Sequence, residues 1–295
     1  MKIITTLLSV LVLGFYSVAQ QPDLANTTLW RLSGNGLKSD SYILLTGPQC
    51  TSELKQTKAL QDALSKVEVI APEYDLYGIE AQALLPIDKY AVADSQRLSG
   101  QFTNKEVSDY FNILKDFGFP DQLFPDFLKY KISGLWQALP FFGGPCGVQG
   151  DRLVWESALK NISQKAKQKF KTLFTITEYV EQRNNYTQSH WRDLIRYHLQ
   201  HQTEAKAWLN AEAELFNAGQ LVKLRNLYSG DYYAPHLNHP RTVIHNQVLA
   251  ERIETAIKSA PTLTAIPVSS AIAGPSPILQ ALRIKGFILT PVLTP

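Results

Sequence analysis

LWRLSGNGLKSDSYILLTGPQCTSELKQTKALQDALSKVEVIAPEYD, residues Leu29 to Asp75, has the layout of a hairpin feeding a β-α-β unit. Leu29–Leu32 and Ser41–Thr46 are short apolar or alternating runs, separated by the turn-forming cluster Gly34-Asn35-Gly36. Leu60, Ala63, Leu64 and Val67 then recur at helical spacing. Val67–Pro72 is a second β-branched run, and Glu73 and Asp75 stand at its end. Loops at the carboxyl ends of parallel strands are where α/β proteins usually place their chemistry, so this carboxylate pair is a candidate site.

The last fifty residues repeat the plan. Leu249, Ile253 and Ile257 form the stripe of a helix over Val243–Lys258, Pro261 breaks it, and Thr262–Val268 reads as a strand. Ser276 and Pro277 read as an N-cap and first helical position, Gly286 as the C′ residue, and Phe287–Val292 as a closing strand. The chain between is helical. Thr103 opens a capping box with Glu106, and Gly118 stops that helix. Phe119–Phe142 is aromatic and proline-punctuated, which predicts short helices or turns packed on the core. Asp151 is the expected cap of an amphipathic helix carrying Trp155, Leu159, Ile162, Ala166 and Phe170 on one face. Thr172–Ile176 reads as a short strand, and helices from about Val180 to Ala218, interrupted near Asn184-Asn185, end at Gly219. The expected fold class is therefore α/β (α+β): a mixed sheet with β-α-β units at both ends of the chain and a helical middle section.

Leu29-Trp30-Arg31-Leu32, Ser41-Tyr42-Ile43-Leu44-Leu45-Thr46-Gly47-Pro48 and Glu73-Tyr74-Asp75 resemble the opening of the TraB/GumN family, which includes Tiki-type metallopeptidases. Members of that family run from a Leu-Trp-x-hydrophobic segment through a Ser-Tyr-hydrophobic strand into Gly-Thr-Ile-His, and then to a strand ending in Glu-Leu-Asp. Leu282-Arg283-Ile284-Lys285-Gly286-Phe287 and Pro291-Val292 fit the family's ending, so the resemblance spans roughly Leu29 to Val292. It implies a single TraB/GumN-like domain over 20–295. It also implies a metal-assisted hydrolytic site at the rim of the sheet, where an ion would lower the pKa of a bound water.

The motif positions, however, hold Pro48 and Ala271 in place of histidines, Thr177 in place of a glutamate, and His245 in place of an arginine. Asn246 and Glu73 remain, with Asp75 beside the latter. A proline ring and a methyl group cannot ligate a metal. The expectation is thus a catalytically degenerate member that acts by binding an unknown protein or peptide ligand, with no cofactor. The alternative is an active metal-dependent hydrolase whose site is rebuilt from Glu73, Asp75 and His245, and only that alternative calls for a divalent metal.

Composition narrows the classes. The formal net charge of +3 gives no reason to expect nucleic acid as a partner. Five lysines between Lys160 and Lys171 read as a solvated helix face. Lys2, the apolar run Ile3–Phe15 and the small residues Ser17-Val18-Ala19 predict a signal peptide over 1–19 with cleavage after Ala19. That leaves no transmembrane segment in the mature chain and places it in a periplasm, a cell envelope or the extracellular space. Cys50 and Cys146 are an even count, for which a disulfide is the default outside the cytoplasm. Some secreted relatives in the resembled family carry cysteines at comparable places. Two His-x-x-His pairs, His198/His201 and His236/His239, have spacings that suit a metal but bring no third ligand, so packing roles are expected. No Gly-x-Ser-x-Gly elbow occurs.

Overall fold

The computed structural model describes residues 24–88, 90, 93–147 and 150–293. The leader expected over 1–19 lies outside the described residues. Six strands form one mixed sheet: β1 (Leu29–Gly34), β2 (Ser41–Thr46), β3 (Val69–Pro72), β4 (Lys169–Phe170), β5 (Thr262–Pro267) and β6 (Phe287–Pro291), in the order β4-β3-β5-β2-β1-β6. β1 pairs antiparallel with β2 through the predicted hairpin, and β6 closes antiparallel on β1. The central pairings β2-β5, β5-β3 and β3-β4 are all parallel. The class expected from the chain, a mixed sheet with a helical middle, is the one observed. The sequence does not reveal that β5, from the end of the chain, slots between β2 and β3.

Alternation along each strand builds two cores. Trp30, Leu32, Ile43, Leu45 and Ile266 face one side, against Leu249, Ile253, Ile257 and Leu282 from the Pro240–Ser259 and Ile278–Ile284 helices. Leu29, Tyr42, Leu44, Leu263 and Ala265 face the other, against Leu60 and Leu64 of the Lys58–Leu64 helix and Leu159 of the Trp155–Lys165 helix. Side chains alternate at period two in a strand, so a sheet covered on both faces needs apolar residues at nearly every position. SYILLT and TLTAIP meet that need. A third core, with Tyr110, Leu114, Leu135, Trp191 and Ile195, holds the helical middle together.

Three local expectations shift. Asp151 does not cap the helix that follows: the backbone stays extended, Leu153 N–H donates to the Gln49 carbonyl (3.0 Å), and the helix begins at Trp155 after Val154. The strand expected at Thr172–Ile176 forms earlier, as the two residues of β4. The expected segment still runs beside β3, with Leu173 N–H on the Pro72 carbonyl (2.9 Å) and Phe174 N–H on the Glu73 carbonyl (3.0 Å). Thr175 then starts a helix, Ile176–Asn184, with a capping box to Glu178. Finally, the last helix is flanked at its start by Pro277 rather than Ser276. The capping box at Thr103, the left-handed Gly118, Gly219 and Gly286 and the Cys50–Cys146 disulfide are as expected. Among the described residues no helix is long and apolar enough to cross a membrane.

Candidate functional site

A cleft of about 300 Å³ opens at the carboxyl ends of β2, β3 and β5. Thr46, Pro72 and Pro267 from the strand ends, Trp155 and Glu156, Tyr179 and Arg183, and His245 and Asn246 are among the residues that line it, so the sheet and several helices contribute. This is the crevice in which open α/β sheets bind ligands, and its volume is at the small end of the range for ligand sites, about 300–1,000 Å³.

Glu73 sits at its floor, 8% exposed, at the first residue past β3. Its backbone N–H donates to the Ala265 carbonyl (3.0 Å), so the ladder of the sheet continues through it and fixes its direction. His245, in the second turn of the Pro240–Ser259 helix, donates from Nε2 to Glu73 Oε1 (2.6 Å). An ionised carboxylate only accepts, so Nε2 carries the proton. The imidazole packs on Phe174 (ring centroids 4.9 Å) and lies parallel to Tyr74 (6.2 Å, 10°). The Tyr74 hydroxyl donates to Gln182 Oε1 (2.7 Å), and burial first, then the charge of Glu73, push its pKa well above the ordinary tyrosine value.

The structure therefore brings two of the three candidate residues together and diverts the third. Asp75 turns to Lys160, whose Nζ lies 2.8 Å from Oδ2, and is not part of the cleft wall. Of the positions that carry ligands in the resembled family, Ala271 is packed at 0% exposure in the sheet core. Among the described residues no group of three or more His, Cys, Asp or Glu side chains is placed to hold a metal ion. Glu73 with one imidazole does not fit the three protein ligands that a catalytic ion requires.

Two side chains not singled out from the sequence belong to the site. Glu156 occupies the first turn of its helix, beside Trp155, whose Nε1 donates to the Gly47 carbonyl (2.8 Å). Burial raises its pKa, and the charges of Asp75 and Glu73 raise it further. Its position next to a tryptophan on the predicted core face was the available signal. Arg183 reaches Asp88 (3.2 Å) and Gln137 (3.4 Å), and Lys131 pairs with the same aspartate.

The histidine pairs have packing roles. His198 is 2% exposed, with Nδ1 2.9 Å from the Tyr232 hydroxyl, and burial lowers its pKa to about 4. His201 turns back to its own helix, with Nδ1 2.9 Å from the Tyr197 carbonyl oxygen. His236 meets not its sequence neighbour but His190 (Nδ1 to Nε2, 3.1 Å), and the His239 ring lies 4.3 Å from that of His190. His239 Nδ1 accepts from Arg241 N–H (3.1 Å) and so caps the helix carrying His245. Burial, then the neighbouring imidazoles, lower the pKa of His236 to about 3, and burial with His239 lowers that of His190 to about 4.

Comparison with models of known families, with characterised proteins and with solved structures returns no match for this chain.

Proposed function

We propose that this is an exported, TraB/GumN-like binding protein that keeps the family's scaffold without its catalytic ion, and that its ligand is a peptide or comparably small molecule held in the cleft at the strand ends. The observation that carries the reading is the closed pairing of Glu73 with His245 at 2.6 Å, with Asp75 bound elsewhere. The residue kept at a motif position is spent on holding two elements together, while the crevice above it stays open and aromatic. The disulfide fits an oxidising compartment.

The test is a screen of the mature protein against a peptide library, alongside a variant in which Ser270→Trp fills the cleft from its rim. Ligands retained by the wild type and lost in the variant support the reading, and equal retention by both sinks it. The alternative, a hydrolase rebuilt around Glu73, draws on the approach of His245 to Glu73. It requires near-stoichiometric manganese, cobalt or zinc after dialysis of untagged protein, together with peptide hydrolysis, both lost in Glu73→Ala.

A further inference from the structure

Among the described residues, the cleft holds a carboxylate with no ion partner. Glu73 is bound to His245, Asp75 to Lys160, and Asp88 to both Lys131 and Arg183. Among the described residues Glu156, which lines the cleft, takes a hydrogen bond only from its own backbone N–H and pairs with no cation. Among the described residues Arg183 is the one arginine or lysine lining the cleft; it pairs with Asp88 and Gln137, lies over the Tyr179 ring (5.6 Å), and leaves its Nε without a partner.

Aromatic residues share the cleft lining with Glu156. Trp155 precedes it, and Tyr74 and Tyr179 meet edge to face at 5.0 Å. The hydroxyls of Tyr74 and Tyr179 are taken up by hydrogen bonds to Gln182 and Gln137 (2.7 and 3.3 Å), which also line the cleft, so the rings are the part of each tyrosine left to a ligand. Independently, Asn246 lines the same cleft at 2% exposure with Nδ2 donating to the Ser276 carbonyl (3.3 Å) and Oδ1 accepting nothing. A buried acceptor without a donor is an uncommon cost in a native fold. An unpaired carboxylate, an unfilled carbonyl and aromatic faces together describe a complement for a positively charged donor.

We propose that the cleft recognises an aliphatic ammonium group, such as a lysine side chain or a free primary amine, with Glu156 as its counter-ion and Tyr74, Tyr179 and Trp155 as the surrounding rings. The proposal rests on the binding reading above and specifies the ligand chemistry of that same cleft. An alkyl ammonium is slim enough for the volume, and its charge supplies what the site lacks.

The test is ligand-observed NMR titration of the mature protein at pH 8 with hexylamine, with hexanol as its uncharged counterpart and with N-acetyl-lysine methylamide. Hexylamine is expected to bind at least tenfold more tightly than hexanol, and Glu156→Gln to remove that difference without changing hexanol binding. Tighter binding of the lysine derivative than of hexylamine assigns the ligand to peptide side chains, and the reverse assigns it to free amines. Equal affinity for hexylamine and hexanol, or an unchanged preference in Glu156→Gln, overturns the proposal, as does no binding of either amine. Peptides retained by the wild type and lost in Ser270→Trp, but without lysine enrichment and still held by Glu156→Gln, would overturn the ammonium assignment and leave the binding reading standing. Unfolding of Glu156→Gln, seen in its thermal melt, moves the comparison to Glu156→Asp, which keeps the charge on a shorter arm and is expected to retain part of the preference.

Discussion

Glu73 and His245, separated by 172 residues, meet at 2.6 Å and join the end of β3 to the helix that covers the sheet. Both side chains are about nine-tenths buried, so neither has water as a substitute partner. Glu73→Ala is expected to cost about 2–3 kcal/mol, the usual loss when one partner of a buried, charge-assisted hydrogen bond is removed. In a double-mutant cycle with His245→Phe, the second substitution should cost much less in the Glu73→Ala background. Urea unfolding of the four proteins measures this, and strict additivity would show that the pair carries no coupling.

Acid stability should report the histidine cluster. An unfolded histidine titrates near 6.5, whereas His236, His190 and His198 are lowered to about 3, 4 and 4 by burial first. The unfolded chain then takes up protons that the folded one refuses, so the histidine contribution is intact above about pH 6.5 and is lost as pH falls toward the folded values. Glu156 and Glu212, both raised by burial, act in the opposite sense. Glu106 and Glu178, lowered to about 2 by their arginine partners, lose stability only below the ordinary carboxylate range. The clean readout is therefore a difference between pH 5 and 6.5. His236→Phe should flatten the dependence of unfolding free energy on pH in that window, and an unchanged slope would contradict the assignment.

Gly47 follows β2 directly beneath Phe216. A Cβ there would lie 2.7 Å from the Phe216 ring, which is 2% exposed and has nowhere to retreat. Gly47→Ala should destabilise by about 1–3 kcal/mol through overpacking. Phe216→Leu in the same chain should recover part of the loss in thermal melts.

The Cys50–Cys146 bridge closes a separation of 96 residues. A loop of that size corresponds to about 4–5 kcal/mol on the chain-entropy model. Cys50→Ser/Cys146→Ser should lower the urea midpoint accordingly, with no change in the far-ultraviolet spectrum of the folded state.

What could be read from the chain follows the range of the forces involved. The hairpin of β1 and β2, the capping box at Thr103 and the stop at Gly118 depend on residues within a few positions, and all stand as expected. Glu73 was named as a strand-end acid and His245 from the motif position at which the resembled family has an arginine, and the two do meet in one crevice. The pairing of Asp75 with Lys160 was not legible, because a lysine on an amphipathic helix gives no sign of which acid it meets 85 residues away. Nor was the meeting of His190 with His236, 46 residues on, while the tidier spacing of His236 and His239 pointed to the wrong partner. Asp151 misled for a local reason: its residue type suits a cap, but the backbone bond from Leu153 to Gln49 holds the segment extended until Trp155.

The place of β5 in the sheet has a consequence for how the protein is made. Thr262 at its start hydrogen-bonds to Ser41 at the start of β2, 221 residues earlier. At about 5–20 residues per second of synthesis, the middle of the sheet is missing for roughly 10–40 s after β2 appears. Until then β1 with β2, and β3 with β4, exist only as two-stranded pieces, which have little stability in water. A chain ending before Thr262 therefore loses the centre of its sheet rather than an edge, and β2 and β3 stay apart until β5 has been added.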